Sequence, residues 1–215
     1  MPIERKRVHC FVDGFNLYHA IKALGPTANH LKWLDLWKLA TAFIVPSQEQ
    51  LTGVSYFTAF ATWIPDAYAR HRTYIKALES SGVTTVIGRF KRKEKSCPQC
   101  NKKIPSHEEK ESDVSFGIYI VHQAHIDGFD KAFIITADSD FLPVIKLVSE
   151  YFPKKEIHLL IPPGRYKTSR DLRNSIKSSK IKRKHLENNL FPERVRNDSG
   201  DIITRPEKYQ PLLQE

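Results

Sequence analysis

The sequence predicts an α/β protein in which a parallel sheet of about five strands is covered by helices on both faces. Two observations lead to this class. Short apolar runs rich in β-branched and aromatic residues recur along the chain, and segments with helical spacing lie between them. Strands that alternate with helices in this way form a parallel, doubly wound sheet. The sequence contains no internal repeat.

Each predicted element has its own pattern in the sequence. The strands are expected at the apolar runs of residues 8–12, 54–60, 83–90, 131–137 and 156–161. The clearest helical segments are residues 34–43, 65–82, 112–128 and 140–152. The order of these segments is the alternation that a parallel sheet requires.

Length and composition favour one main domain. A chain of 215 residues with 40% hydrophobic content can bury one sizeable core. We expect that domain over residues 1–165, with an insertion at about 91–110, followed by a basic helix and arm over residues 166–215. No stretch approaches the ~18 apolar residues that a membrane helix needs. The charged N-terminus lacks the apolar segment of a signal peptide, so we expect a cytoplasmic protein without a membrane partner.

The charge of the chain points to a polyanion as partner. The formal net charge is +10, and residues 165–196 contain 11 Lys and Arg against 3 Asp and Glu. RNA is the expected partner, with phosphate contacts from Lys180, Lys182, Arg183 and Lys184. The alternative is a solvated basic tail, because charge runs are common at chain ends.

Acidic residues follow two of the predicted strands. Asp13 ends the first strand, and Asp138 and Asp140 come directly after the fourth. Asp113 lies in the first turn of the helix before that fourth strand. Ligands of parallel sheets bind beyond the carboxyl ends of the strands, and crowded carboxylates repel one another unless a cation is present. We therefore expect Mg²⁺ or Mn²⁺, which prefer oxygen ligands.

Each of these residues also has a structural explanation. Asp140 could cap the helix that follows it, and Asp13 with Gly14 could form a turn. Asn16 could hydrogen-bond a carboxylate or a phosphate, or could serve only as a helix-start residue. The joint appearance of acids at two strand ends favours the metal site.

Three sequence blocks resemble the NYN domain family, a branch of the PIN-like ribonuclease superfamily. They are "FVDGFNLYHAIK", "EEKESDV" and "ITADSDFLPVIKLV", and the similarity runs from about residue 8 to 162. The resemblance implies a three-layer α/β/α sandwich with an acidic metal site that cleaves RNA. Four acids and Asn16 fall on the positions of the family motif; the acids are Asp13, Asp113, Asp138 and Asp140. Tyr119 stands where many relatives have a further acid, which puts a second tightly held metal in doubt.

The chemistry that this resemblance implies is hydrolysis of phosphodiester bonds in single-stranded RNA. A metal ion held by Asp13, Asp113 and Asp138 would lower the pKa of a bound water. Asp140 would bind metal through water or orient the attacking water as a general base.

Two other classes of function stay open. One is a non-catalytic RNA-binding or regulatory module, and Tyr119 is its best support. The other is an enzyme that acts on a small molecule. The chain has neither the glycine fingerprint of dinucleotide-binding domains nor a P-loop, which argues against this last class.

The insertion contains a candidate zinc site. Cys97 and Cys100 form a C-x-x-C pair, and His107 is a third candidate ligand. A structural zinc needs four ligands. The fourth would come from His71, His122 or His125, or from a second subunit of a homodimer in which each chain offers a pair. The alternative is a metal-free basic hairpin.

Two further residues are candidates for nucleic-acid contacts. Trp63 follows the second predicted strand, at the same sheet edge as Asp13, and could stack on an unpaired base or pack against the protein. Lys110, close to Asp113, could contact a phosphate or could be an ordinary charged loop residue.

Overall fold

The central feature of the fold is a seven-stranded sheet. The computed structural model describes residues 4–96 and 99–211. The strands of the sheet are β1 (Lys6–Asp13), β2 (Glu49–Ala59), β3 (Thr84–Ser96), β4 (Lys103–Lys110), β5 (Lys131–Ile135), β6 (Glu156–Ile161) and β7 (Ser178–Lys180). Their order is β4-β3-β2-β1-β5-β6-β7, and every neighbouring pair is parallel except β3 and β4.

Helices cover both faces of this sheet and complete the three layers. They are α1 (Gly14–Lys22), α2 (Leu36–Thr41), α3 (Pro65–Glu79), α4 (Ser112–His125), α5 (Leu142–Tyr151), α6 (Arg170–Ser175) and α7 (Arg183–Glu187). Side chains alternate along β1, so that Cys10 and Val12 join the core under α1, α2 and α3. Phe11 joins the core under α4, α5 and α6. The predicted α/β/α class is confirmed.

The sheet has two more strands than the five predicted. β3 continues to Ser96 and returns as β4, so the insertion is an antiparallel hairpin in register from Arg89↔Lys110 to Ser96↔Lys103. Its sequence is polar on both faces and therefore lacks the apolar alternation that identifies a half-buried strand. β7 has only three residues, which is too short for a periodic signal.

The basic C-terminal segment folds back onto the domain. Ile181, Leu186 and Phe191 are buried in the core under α1, α2 and α3. The Trp33 indole donates a hydrogen bond to the Pro192 carbonyl oxygen at 2.7 Å. A small hairpin follows, formed by β8 (Arg194–Arg196) and β9 (Ile202–Thr204). The boundary between residues 165 and 166 stays a prediction. Within the described part of the chain, no helix has the length and apolar content needed to cross a bilayer.

A buried ion pair ties the amino ends of β2 and β5 together. The Lys131 ammonium at the start of β5 donates to Glu49 Oε1 at the start of β2, at 2.7 Å, and both side chains are buried. The backbone N–H of Val45 donates to the other Glu49 oxygen at 3.0 Å. Burial alone would raise the pKa of Glu49, but the Lys131 and Val45 donors outweigh it and hold that pKa below its ordinary value.

Lys131→Met should destabilise the protein strongly, because it leaves the Glu49 carboxylate buried without its cation. Breaking one side of a buried pair costs about 3–5 kcal/mol, or a fall in melting temperature of about 6–20 °C. Thermal unfolding measures this. Lys6→Met, which removes an exposed lysine paired with Glu156, is the matched control and should change the melting temperature little. Equal losses in the two variants would contradict a structural role for the buried pair.

Candidate active site at the carboxyl edge of the sheet

Asp13 and Asp138 lie at the ends of neighbouring strands, as the sequence predicts. β1 pairs with β5 in parallel, with Val12 opposite Ile135. One fully buried hydroxyl joins the two acidic segments: Thr136 Oγ1 donates to Asp13 Oδ2 at 2.9 Å and accepts from the Asp138 N–H at 3.1 Å. The same hydroxyl therefore contacts the side chain of Asp13 and the backbone of Asp138, and it fixes both acids at one edge of the sheet.

Asp13 also starts helix α1. Its Oδ1 accepts a hydrogen bond from the Asn16 N–H at 2.9 Å, the geometry of a helix N-cap. The Asn16 side-chain oxygen accepts from the Ala137 N–H at 3.1 Å. Asn16 therefore links α1 to the chain after β5, a positioning contact that its sequence position did not reveal. Gly14 is required here, because a Cβ would lie 2.5 Å from the Phe57 carbonyl oxygen.

Asp138 and Asp140 occupy a short turn after β5. Asp138 Oδ1 accepts from the Asp140 N–H at 3.0 Å and caps the 3-10 helix Ser139–Phe141. The capping role considered for Asp140 thus belongs to Asp138. Asp138 is half-buried and Asp140 is exposed. Both side chains face an edge that is open to solvent.

Asp113 approaches the same edge from the first turn of α4. The start of α4 packs closely against β3, and this contact sets the position of Asp113. A Cβ at Gly88 in β3 would lie only 2.5 Å from Ser112 Oγ. Asp113 is exposed. Partial desolvation, followed by repulsion from Asp138 and Asp140, raises its pKa above the ordinary value. Asp113 therefore lies near the turn that contains Asp138 and Asp140.

Glu109 is a further acid of this edge that the sequence did not reveal. It lies in β4, opposite Phe90, and its Oε1 is buried without a hydrogen-bond donor among the described residues. Desolvation raises the pKa of Glu109 to about 7, and the charges of Asp113 and Asp13 add to the rise. The Ser112 hydroxyl is near enough to oppose it but makes no hydrogen bond of normal geometry with this carboxylate. The sequence "HEEK" contains three charged residues in a row. Which of them faces the site depends on the register of the hairpin, which the sequence does not reveal.

Tyr119 explains why the helix α4 supplies only one acid. Its ring packs edge-on against Phe57, with the ring centroids 5.4 Å apart. A residue in that contact contributes apolar packing rather than charge. Glu109 approaches the same edge from the hairpin rather than from α4.

Asp13 is also strongly affected by this environment. Burial raises its pKa to about 6 although the Asn16 N–H and the Thr136 hydroxyl both favour the charged form. Repulsion from Asp113 and Asp138 contributes to the rise. Within residues 4–96 and 99–211, no Lys or Arg forms an ion pair with the four aspartates of this edge, which are Asp13, Asp113, Asp138 and Asp140.

The donors at this edge suit a hard divalent cation by their chemistry. All are carboxylate oxygens, and the buried Glu109 oxygen without a donor is the kind of atom that a cation would satisfy. Over residues 4–96 and 99–211, no three His, Cys, Asp or Glu side chains are already grouped as metal ligands. A cation at this edge would therefore reach some of the fixed acids through water molecules.

The zinc ligands predicted in the insertion are not brought together in the described chain. Cys97 lies outside the described residues, and Cys100 is exposed at the tip of the hairpin. His107 is opposite Arg92, four residues down β4 from Lys103. Its ring stacks on Trp63, with centroids 3.6 Å apart and an interplanar angle of 4°. The Trp63 side chain beside the hairpin is partly exposed. Zinc binding at Cys97 and Cys100 stays a prediction.

The basic residues predicted to contact RNA have different surroundings. Lys110 donates to Glu108 Oε1 at 2.8 Å. The Lys180 ammonium lies 3.9 Å from the centroid of the Tyr166 ring, and Arg183 pairs with Glu187 at 2.7 Å. Lys182 and Lys184 are exposed.

The register places Lys180 at the acidic edge. Ile134 pairs with Leu159 and Leu159 pairs with Ser178, so Lys180 lies in line with Thr136. Two strand spacings separate them, which is about 10 Å.

A large cavity lies beside the acidic edge. It has a volume of about 650 Å³ and lies between α1, α3 and the 3-10 helices Pro26–Lys32 and Glu207–Tyr209. Gly14, the residue after Asp13, forms part of its wall. The cavity is therefore continuous with the element that carries the first acid.

A parallel α/β/α sandwich with acids at the carboxyl edge of its central strands defines a PIN-like, nuclease-type domain. Comparison with known families agrees with this class. The family model described as the NYN domain matches residues 7–181, and the chain belongs to this family of PIN-like nucleases.

Two individual proteins are similar to this chain. The 6-hydroxy-3-succinoylpyridine 3-monooxygenase HspA of Pseudomonas putida is 25% identical over 217 residues, which cover 85% of this chain and 68% of that protein. A solved structure of a protein of unknown function from Vibrio parahaemolyticus aligns with a TM-score of 0.59 at 13% identity. That alignment covers 87% of this chain and 97% of the other and supports the fold.

Glu109→Gln should stabilise the metal-free protein at neutral pH. The folded-state pKa of about 7 exceeds the ordinary 4.5, so between these values the folded protein holds a proton that the unfolded chain has lost, and stability falls as pH rises. We expect the variant to gain about 1–2 kcal/mol at pH 7.5, or about 2–8 °C, after allowance for partial exposure. The gain should fall to about a quarter of this value at pH 5, which lies only just above the ordinary pKa of 4.5, and should vanish below it.

Thermal unfolding in EDTA at both pH values measures this effect. Glu150→Gln, which changes an exposed acid on α5, is the matched control and should show no such pH dependence. A Glu109→Gln variant that is less stable than the wild type at pH 7.5 would show that the carboxylate makes favourable contacts in the metal-free protein.

Proposed function

We propose that the protein is a metal-dependent nuclease that hydrolyses phosphodiester bonds of single-stranded RNA at the carboxyl edge of its sheet. The observation that carries this proposal is the convergence of Asp13, Asp138 and Glu109 from three different strands or strand ends. Shared hydrogen bonding at Thr136 and mutual repulsion support their proximity. Membership of a family of PIN-like nucleases supports the same class of reaction.

The acids would hold Mg²⁺ or Mn²⁺ directly or through water. Asp13, Asp113 and Asp138 are the proposed ligands, and Glu109 is the carboxylate that the hairpin adds. When bound, such an ion activates water and neutralises charge on the phosphate. Binding would lower the raised pKa values of Asp13 and Glu109, because a cation favours the ionised form.

The remaining polar residues of the edge have supporting roles in this proposal. Asp140 is exposed and follows Asp138 by two residues, so in this proposal it would accept a proton from an attacking water. Asn16 and Thr136 would act by holding the two acidic segments in register, through the hydrogen bonds that they make there. Loss of either contact would shift a carboxylate rather than remove it.

RNA would approach along the same edge. Lys180 lies about 10 Å from Thr136 across two strands, and the exposed Lys182 and Lys184 continue from it. Trp63 offers an aromatic face on the hairpin side of the acids. Cations on one side and a stacking surface on the other suit a flexible single strand.

A second candidate function is an enzyme that acts on a small aromatic molecule. Two observations favour it: the relative named as a monooxygenase of a hydroxylated pyridine, and the cavity next to α1. The absorbance spectrum of the purified protein discriminates between the candidates. A bound flavin, or an absorbance change on addition of reduced nicotinamide cofactor and such a pyridine, would favour the second.

Asp138→Asn should reduce cleavage of a labelled single-stranded RNA about 100-fold or more in Mn²⁺, since it removes one charge from the proposed ligands. Asp13→Asn should do the same, and EDTA should abolish cleavage by the wild type. Asp198→Asn, which changes an exposed acid in the β8–β9 turn, is the matched control and should retain full activity. Circular dichroism checks that each variant is folded.

Equal residual cleavage by wild type and Asp138→Asn would identify a contaminating nuclease. RNA binding without cleavage in the folded wild type would favour the non-catalytic RNA-binding module instead.

A further inference from the structure

The cavity beside α1 has an aromatic interior. Tyr56, Tyr74 and Tyr209 line it and are almost fully buried, while Tyr18 stands exposed at its mouth. The Tyr74 hydroxyl is occupied by a hydrogen bond to the Leu34 carbonyl oxygen at 2.8 Å. The interior therefore offers ring faces and edges more than free polar groups, which suits a flat aromatic body.

Four cations surround this interior. Lys22, Lys32, Arg70 and Lys208 line the cavity, and none of the lining residues is Asp or Glu. Among residues 4–96 and 99–211, none of these four cations forms an ion pair with a carboxylate. They come from α1, α3 and both 3-10 helices, so only the tertiary fold brings them together.

Lys32 shows how closely these charges approach. Its ammonium donates to Asn29 Oδ1 at 2.7 Å and lies 5.0 Å from the centroid of the Tyr18 ring. Burial lowers the pKa of Lys32, and the charges of Lys22, Lys208 and Arg70 lower it further. Cations that repel one another around a concave surface are complementary to an anion with more than one charge.

We propose that this cavity binds a nucleotide, with the base among the tyrosines and the phosphate between Lys22, Lys32, Arg70 and Lys208. A terminal phosphate carries about 1.5 to 2 negative charges, whereas a carboxylate carries one. The higher charge of the phosphate is the better complement to four cations. The volume of about 650 Å³ lies within the usual range of about 300–1,000 Å³ for small-molecule sites. Aromatic side chains that accept a base in this way recur in proteins that bind single strands.

The nucleotide could have two sources, which share the same chemistry. It could be a free nucleoside monophosphate, or the 5′-phosphorylated end of an RNA strand. The second source rests on the proposed nuclease function, because the strand would continue from the cavity toward the acidic edge past Gly14. The first does not depend on that function.

Isothermal titration calorimetry of the Asp138→Asn protein in EDTA tests the proposal apart from metal binding and cleavage. The probes are nucleoside 5′-monophosphates, the matching nucleosides, inorganic phosphate and nicotinate. We expect saturable binding of at least one monophosphate, with its nucleoside, phosphate and nicotinate at least about tenfold weaker. A hexanucleotide with or without 5′-phosphate identifies the source. Phosphate-dependent binding of the hexanucleotide indicates an RNA end, and binding of the free nucleotide alone indicates a free ligand.

Lys32→Gln and Arg70→Gln, added to this protein, should each weaken monophosphate binding about tenfold or more. Lys146→Gln is the matched control, because Lys146 is exposed on α5 under the opposite face of the sheet. Melting temperatures confirm that each variant is folded. Absence of monophosphate binding, tighter binding of nicotinate, or equal affinity in the Lys32, Arg70 and Lys146 variants would overturn the proposal.

Discussion

Carboxylates of like charge cannot share one partly desolvated edge of a sheet without a free-energy cost. Burial and mutual repulsion raise the pKa of Asp13 to about 6 and that of Glu109 to about 7. The fold nevertheless holds these acids in place through the Thr136 hydroxyl, the hydrogen bond between Ala137 and Asn16, and the β3–β4 hairpin. Such an arrangement is typical of functional sites, where local stability is lost and a ligand restores it.

Helix α1 connects this negative edge with a positive cavity. Its first residues border Asp13 and contact Ala137, while Tyr18 and Lys22 on the same helix line the cavity. The two concave surfaces thus have opposite charge and share one short helix. An anionic ligand would be drawn to the cavity and kept from the acids unless a cation is bound there.

The sequence predicted the parts of the fold that follow from apolar periodicity. All five central strands appear because their runs are continuous and apolar, and Asp13 and Asp138 meet because parallel strands share a carboxyl edge. β4 could not be identified, because "KIPSHEEK" has no apolar face and forms only as the partner of β3. Glu109 was missed for the same reason. The cavity is lined by residues between positions 14 and 209, so no local sequence pattern could predict it.

The number of protons released when Mn²⁺ binds at pH 6.5 tests the central claim most directly. It is obtained from the dependence of the binding enthalpy on buffer ionisation. If the crowded acids hold the cation, binding should ionise the protonated fractions of Asp13 and Glu109 and release about one proton per ion. Glu109→Gln should lower that number by more than half. Saturable binding without proton release, or no saturable binding at all, would contradict the account.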